Sequence, residues 1–190
     1  SKRVLNLTNG SSSLTDALAE RITGKKLLKK KVIKIHQGTE AVRVECADGS
    51  SYHAKKVICT LPFSTLREVD LDVPAGKQQR AAIQELGYTD ITQIHLRPAT
   101  PYWEEDELPV QMWTDTPLER VFDVSKGGKT DHLVCWINGK GTAFFKDLSE
   151  LEIAKYVTTT LGEIRPAARG QLQYVGTQQW GKSEFSRGAY

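Results

Sequence analysis

The amino-acid sequence predicts an α+β fold, read as a single domain built on a mixed, mostly antiparallel sheet. Three observations carry this. Residues 32–62, VIKIHQGTEAVRVECADGSSYHAKKVICTLP, hold three apolar runs separated by turn residues. Strands and helices arrive mixed along the chain, with hairpin-like pairs dominant. With 190 residues the chain is long enough to bury a sizeable core.

Taken in order, Val4-Leu5-Asn6-Leu7 reads as a short strand entering a small-residue loop that ends at Ser13. A helix follows over Leu14–Ile22, with Leu14, Ala17, Leu18 and Ile22 on one face. Ser12 or Ser13 can cap its start and Gly24 its end. Within residues 32–62, Val32/Ile33/Ile35 and Ala41/Val42/Val44 alternate as half-buried antiparallel strands do. The third run, Val57-Ile58-Cys59 to Leu61, is apolar throughout, as expected of a strand covered on both faces and stopped by Pro62. Asp48-Gly49 marks the turn before it. Further on, residues 64–69 suit a helical turn and 75–86 a helix burying Ala82, Ile83 and Leu86. Asp90–Arg97 alternates strictly, which places Gln93 and His95 on one face and Thr92, Ile94 and Leu96 on the other. After the Pro101-Tyr102-Trp103 corner and the acidic stretch 104–107, strands are expected at 110–113, 120–123 and 132–138. Ser149 with Glu152 is a capping-box pattern. It opens a helix with Leu151, Ala154, Val157 and Leu161 on one face and Gly162 at its end. The last strand is Leu172–Thr177.

Composition excludes several function classes. Hydrophobic residues make up 39% and charged residues 26% of the chain, and the formal net charge is +3. Such a balance does not call for a nucleic-acid or acidic-membrane partner. The five lysines among residues 25–31 read as a solvated loop and strand edge, because no aromatics interleave to stack on bases. A non-catalytic binding module using this run is the alternative outside enzymes. Cys46, Cys59 and Cys135 lie in apolar runs without metal spacing, which predicts buried thiols in a reducing compartment, the cytoplasm. No apolar run reaches the length of a membrane span. The four histidines are scattered, so no metal site is expected. Gly139-Lys140-Gly141 is half of a dinucleotide fingerprint with no strand-turn-helix around it, and it reads as a hairpin loop. The acidic run 104–107 reads as a solvated loop.

The order of larger pieces is more informative. A small-residue loop with its helix, KKVIKI followed by VRVECADGSSYHAKKVICTLP, a strand leading to PYW, and the tail WGKSEFSRGAY together resemble the flavin-containing amine oxidase family. That family includes monoamine, polyamine and L-amino-acid oxidases, and the similarity runs from about Asn6 to Tyr190. The resemblance implies that residues 1–190 form a substrate-binding domain, a mixed sheet with helices packed on one side. It implies that FAD is bound by segments before and after this one, both absent here, so that the chain alone is inactive and holds no FAD. The activity implied is oxidation of the C–N bond of a small amine or amino acid by hydride transfer to flavin. A related flavoprotein, desaturase-like or porphyrinogen-oxidase-like, is the alternative among enzymes.

The resemblance also implies roles for single residues. Val32 matches the position whose backbone meets the adenine end of FAD. Trp180 matches the tryptophan beside the isoalloxazine ring, and Tyr190 matches one wall of the aromatic cage that orients the substrate amine. The family places a lysine near flavin N5, ten residues before the tryptophan of PYW. Gln93 stands there in this chain. An amide donates hydrogen bonds but lacks the charge that would help dioxygen accept an electron, which leaves a different electron acceptor open.

Overall fold

A computed structural model describes Leu7, residues 9–126 and residues 128–189. The expected strand at residues 4–7 therefore lies, apart from Leu7, outside the described residues. The chain divides into two compact units. The first runs to Ile58 and includes Val69–Pro74, and the second holds Cys59–Glu68 and the chain from Ala75 onward.

The first unit contains helix α1 (Ser12–Arg21) and strands β1 (Val32–Gln37), β2 (Val42–Cys46), β3 (Ser51–Ala54) and β4 (Asp70–Asp72), in sheet order β3-β2-β1-β4. Ser12 and Ser13 fall inside α1 instead of capping it, and Ser11 at the N-cap makes no side-chain cap. The β1-β2 and β2-β3 pairs are antiparallel, as the alternation predicts. Their turn is drawn tight by Asp48. Its carboxylate accepts from the backbone N–H of Ser50 at 3.0 Å and from Lys30 Nζ at 2.5 Å. The Lys30 hydrogen bond, with help from Ser50, holds the Asp48 carboxyl well below the usual carboxylate range. Gly49 completes the turn at φ +82°.

The apolar run after β3 does not form the expected buried strand. Residues 55–62 join no ladder, and Ile58 is 91% exposed. The places beside β1 and β2 are taken by the short polar strands β4 and β3, so the run has no sheet partner among the described residues. Cys59 is exposed with it, whereas Cys46 and Cys135 are buried as expected. Strand β4 pairs parallel to β1 and supplies Asp70 to Lys34 at 2.7 Å and Asp72 to His36 at 2.5 Å.

The second unit is an antiparallel sheet of β5 (Ile91–Pro98), β6 (Met112–Trp113), β7 (Arg120–Lys126), β8 (Lys129–Asn138) and β9 (Leu172–Gln179), in order β6-β7-β8-β5-β9. Helices α2 (Phe63–Leu66), α3 (Lys77–Glu85), α4 (Tyr102–Glu105) and α5 (Glu150–Ile164) accompany it. In α3 Ile83 is buried, but Leu86 lies beyond the helix end and is exposed. One sheet face carries Ile94, Leu96, Val121, Leu133, Cys135 and Ile137, all buried against Phe145 and against Ile153, Val157 and Leu161 of α5. Burying each such side chain contributes about 1.5–3 kcal/mol, and this layer is the core. The helical layer thus covers one side of the sheet, and the opposite face is left for other work.

Helix α5 opens with the reciprocal capping box of Ser149 and Glu152. Its buried stripe is Ile153, Val157, Thr160 and Leu161, while Leu151 is 80% exposed. Gly162 does not end the helix. It is buried within the last turn, where a Cβ would come within 3.0 Å of Arg169 Cγ. The stop is Arg165-Pro166, because a residue before proline is driven to extended backbone, here φ −126° and ψ 90°. Gly139-Lys140-Gly141 is likewise not a hairpin loop. It begins a 3₁₀ helix over Gly139–Phe145, fixed by the Gly139 N–H on Asp90 O at 2.7 Å and Thr142 Oγ1 on Gly139 O at 2.7 Å.

The acidic stretch 104–107 is not simply a solvated loop: Glu104 and Glu105 lie in α4, and Asp106 is paired. Asp106 accepts from Arg165 Nε at 2.6 Å and from a terminal guanidinium nitrogen at 2.5 Å. Arg165 also donates to Pro109 O at 2.9 Å, lies over the Tyr102 ring at 5.2 Å, and is only 4% exposed. This clasp ties the PYW corner to the end of α5.

Candidate active site

On the uncovered sheet face, residues directly opposite one another across strands form a row: Trp113 on β6, Arg120 on β7, Trp136 on β8 and Gln93 on β5. Opposed residues in antiparallel pairs point to the same side. His95 and His132 follow on that face with their rings 5.6 Å apart at 42°. Burial, and secondarily the neighbouring His132, pushes the His95 imidazole below its ordinary pKa.

Trp180 arrives from β9, which ends at Gln179. A 3₁₀ turn over Trp180–Lys182 brings its indole back over β5, where Nε1–H donates to Gln93 Oε1 at 2.9 Å. Indole nitrogen is a donor only, so this bond fixes which end of the Gln93 amide faces Trp180. The amide NH₂ is therefore turned away from the indole. Asp90 holds the turn, accepting from the Gly181 N–H at 2.9 Å, with Thr142 Oγ1 3.3 Å from its other carboxylate oxygen. A Cβ on residue 181 would sit 2.2 Å from Asp90 Oδ1, so glycine is required for this approach.

Gln93, Trp136 and Trp180 line an open cavity of about 770 Å³, together with Tyr88, Ile91 and the stretch Gly188-Ala189. That last stretch is anchored by a two-way backbone bridge between Thr89 and Ala189, at 2.6 and 2.7 Å. Ser64 Oγ donates to Ser186 O at 2.5 Å, Arg187 pairs with Glu68, and Gly188 N–H bonds Trp180 O at 2.9 Å. A second depression of about 590 Å³ adjoins it, lined by Gln93, His95, Arg120, Phe122, His132 and Trp136. Gln93 and Trp136 stand on the border of both.

The structure thus brings together two of the residues singled out in the sequence, Gln93 and Trp180, though 87 positions separate them. Val32 is not among them. It lies half-buried on β1 of the first unit, opposite Cys46. Tyr190 lies outside the described residues. Sequence reasoning missed Asp90, Arg120 and Trp136. The period-2 pattern of residues 132–136 could have placed Trp136 on the His132 face, but nothing local marks Asp90 or Arg120. Among the described residues no group of three or more histidine, cysteine, aspartate or glutamate side chains could hold a metal ion.

Against known proteins, the whole chain, residues 1–190, matches the family described as flavin containing amine oxidoreductase. The chain belongs to this family. It is 29% identical over 177 residues to human peroxisomal N(1)-acetyl-spermine/spermidine oxidase, covering 80% of this chain and 34% of that protein. It is 26% identical over 203 residues to the flavin-dependent L-tryptophan oxidase RebO of Lentzea aerocolonigenes, covering 100% and 42%. It therefore spans roughly a third to two fifths of these relatives' lengths. Among solved structures, cyclohexylamine oxidase from Brevibacterium oxydans aligns with TM-score 0.79 at 17% identity, covering 95% of this chain and 40% of that one. Putrescine oxidase bound to putrescine aligns with TM-score 0.76 at 21% identity, covering 96% and 41%. At these identities the likeness speaks for the fold alone, which this chain shares with about two fifths of each of those oxidases. Among the described residues no helix is long and apolar enough to cross a membrane.

Proposed function

We propose that this chain supplies the substrate-binding part of an FAD-dependent oxidoreductase that oxidises the C–N bond of a small amine or amino acid. The observation that carries this reading is the Trp180–Gln93 hydrogen bond at the wall of an open, largely apolar cavity, in a chain that matches the family over its full length. The residues present suit a flat heteroaromatic ring: an indole beside open space, apolar walls, and an amide whose donor end is free to face the ring edge. Bound flavin would supply the hydride acceptor.

This chain's residues do the rest. Trp180 packs beside the ring, and through its N–H keeps the Gln93 amide from rotating. Gln93 NH₂ offers a neutral donor to the ring edge or to an ordered water. Ile91, Trp136 and Ala189 exclude water, which strengthens every electrostatic contact in the cavity. Val32 offers its backbone to the adenine end, and Tyr190 forms a wall that orients the amine. The flavin-binding segments lie, on this reading, in sequence outside these 190 residues.

The test is anaerobic mixing of the full-length flavoprotein with amines and amino acids. Loss of the oxidised flavin absorbance is expected with at least one of these classes, and an unbleached flavin with all of them overturns the reading. Two variants probe the roles. Trp180→Phe keeps an aromatic face but frees the Gln93 amide, and reduction is expected to slow by about tenfold, the worth of one hydrogen bond. Tyr190→Ala is expected to raise KM or lower kcat while FAD stays bound, and unchanged kinetics would remove Tyr190 from the substrate wall.

A further inference from the structure

Arg120 is a cation on the uncovered sheet face. Its side chain is 18% exposed. Among the described residues its guanidinium makes no hydrogen bond, and its Nε is buried without a partner. The nearest carboxylate, Glu119, stays 3.9 Å from its terminal nitrogen, and Glu119 Oε2 already accepts from the Asn138 backbone N–H at 3.2 Å. The guanidinium instead lies 5.2 Å from the centre of the Trp113 ring, a contact that holds its plane but accepts no proton. A mostly buried guanidinium with its fork of donors unused is poised for an anion, and a carboxylate matches that fork bidentately.

Its surroundings agree. Among the described residues, the other titratable side chains lining the adjoining depression are His95 and His132, and no carboxylate lines it or the larger cavity. An ammonium-rich ligand would meet the Arg120 charge here with no lining carboxylate to pair with. In the cross-strand row Arg120 is two strands from Gln93, roughly 10 Å between backbones, with Trp136 between them. Arg120 and Gln93 both line the smaller depression, the guanidinium standing on its Trp113 side. A ligand held by its carboxylate at Arg120 shares that depression with Gln93, which also borders the larger cavity.

We infer that Arg120 binds the carboxylate of the substrate, so that the cavity takes α-amino acids in preference to simple amines or polyamines. This rests on the flavoenzyme reading above and narrows it to one substrate class.

The experiment uses the full-length flavoprotein and three matched pairs: leucine, phenylalanine and lysine, each beside the amine left when its carboxylate is removed. Spermidine is added as a polycation. Anaerobic flavin reduction is followed for each, and binding of 3-phenylpropanoate, which carries the carboxylate without the amine, is measured by calorimetry. At least one amino acid is expected to have an apparent Kd about tenfold or more below that of its amine. Arg120→Gln should weaken that amino acid about 30- to 100-fold, as loss of charged hydrogen bonds does, while leaving the amine within about twofold. It should also abolish 3-phenylpropanoate binding, and Arg120→Lys should recover part of it. Amines or spermidine outperforming every amino acid, or Arg120→Gln weakening both members of a pair equally, overturns the inference while the flavoenzyme reading stands. Flavin left oxidised by every compound removes both. Should Arg120→Gln not hold flavin, the wild-type pairs and 3-phenylpropanoate binding decide.

Discussion

Arg165→Ala is expected to destabilise the chain clearly, because it removes a buried guanidinium together with the charged hydrogen bonds it makes to the half-buried Asp106. The substitution strips Asp106 of both guanidinium bonds and leaves Pro109 O without its donor. It also opens space over the Tyr102 ring, whose buried hydroxyl has no partner among the described residues. For a chain of this size the melting temperature should fall on the order of 10 °C, measured by circular dichroism on the purified protein. Arg165→Lys should recover little, because one ammonium cannot reproduce the two-pronged contact. A shift of only a degree or two would show that the clasp is not a structural tie. The pair also sets an acid limb. The Arg165 hydrogen bond, first among the causes, holds the Asp106 carboxyl below its ordinary pKa. A carboxylate depressed in the folded state stabilises fully above its unfolded pKa, about 4. That stabilisation is lost as pH falls through the folded value, so Arg165→Ala should flatten the stability profile below about pH 4.

On the proposed flavoenzyme reading, Gln93→Lys is expected to speed reaction of the reduced full-length protein with dioxygen by about a hundredfold, the scale of a preorganised charge in a dry site. Negative charge develops on dioxygen as it takes an electron, and an ammonium opposes that charge where a neutral amide only donates a hydrogen bond. The substitution has a cost visible in the geometry. Lysine has no acceptor, so Trp180 Nε1–H loses its partner at 2.9 Å, worth about 1 kcal/mol. Amine oxidation should therefore hold steady or slow while reoxidation rises. Stopped-flow reoxidation of anaerobically reduced wild type and variant, followed by flavin absorbance, separates the two steps. Rapid wild-type reoxidation, or a variant no faster, would show that charge at this position does not choose the acceptor.

Much of the second unit was legible because its signals are local. Strict alternation across Asp90–Arg97 placed Gln93 and His95 together on one face and Ile94 and Leu96 in the core. Ser149 and Glu152 announced α5 through a three-residue spacing. Where the sequence misled, a partner far along the chain decided. The β-branched run at 57–61 has every local mark of an interior strand, yet three residues from Asp70 took the place beside β1. Gly162 looked like a stop because glycine commonly is one, but Pro166 sets the end and Arg169 packs against the glycine. Asp106 in an acidic run carried no hint of Arg165, 59 positions away. Family order pointed to Gln93 and Trp180 individually, whereas the bond between them is a tertiary fact. Arg120 sits in a run that reads as an ordinary strand, and only the register across four strands puts it beside the cavity.

The sheet order has a consequence for how the protein comes to be assembled. The β7–β8 pair closes over a short turn and can form at once, whereas β5 must wait for a partner some forty residues later and β9 comes later still. Such non-local pairings are slow, since loop closure is paid before the contacts reward it. During synthesis the first-made central strand is thus without either neighbour until most of the unit has emerged, and its edge toward β9 is the last to be covered. Because Trp180 follows β9 directly, the Trp180–Gln93 contact can close only with that final strand. A nascent chain halted before β9 presents Ile91–Pro98 as an open strand edge, the kind of surface that recruits other chains.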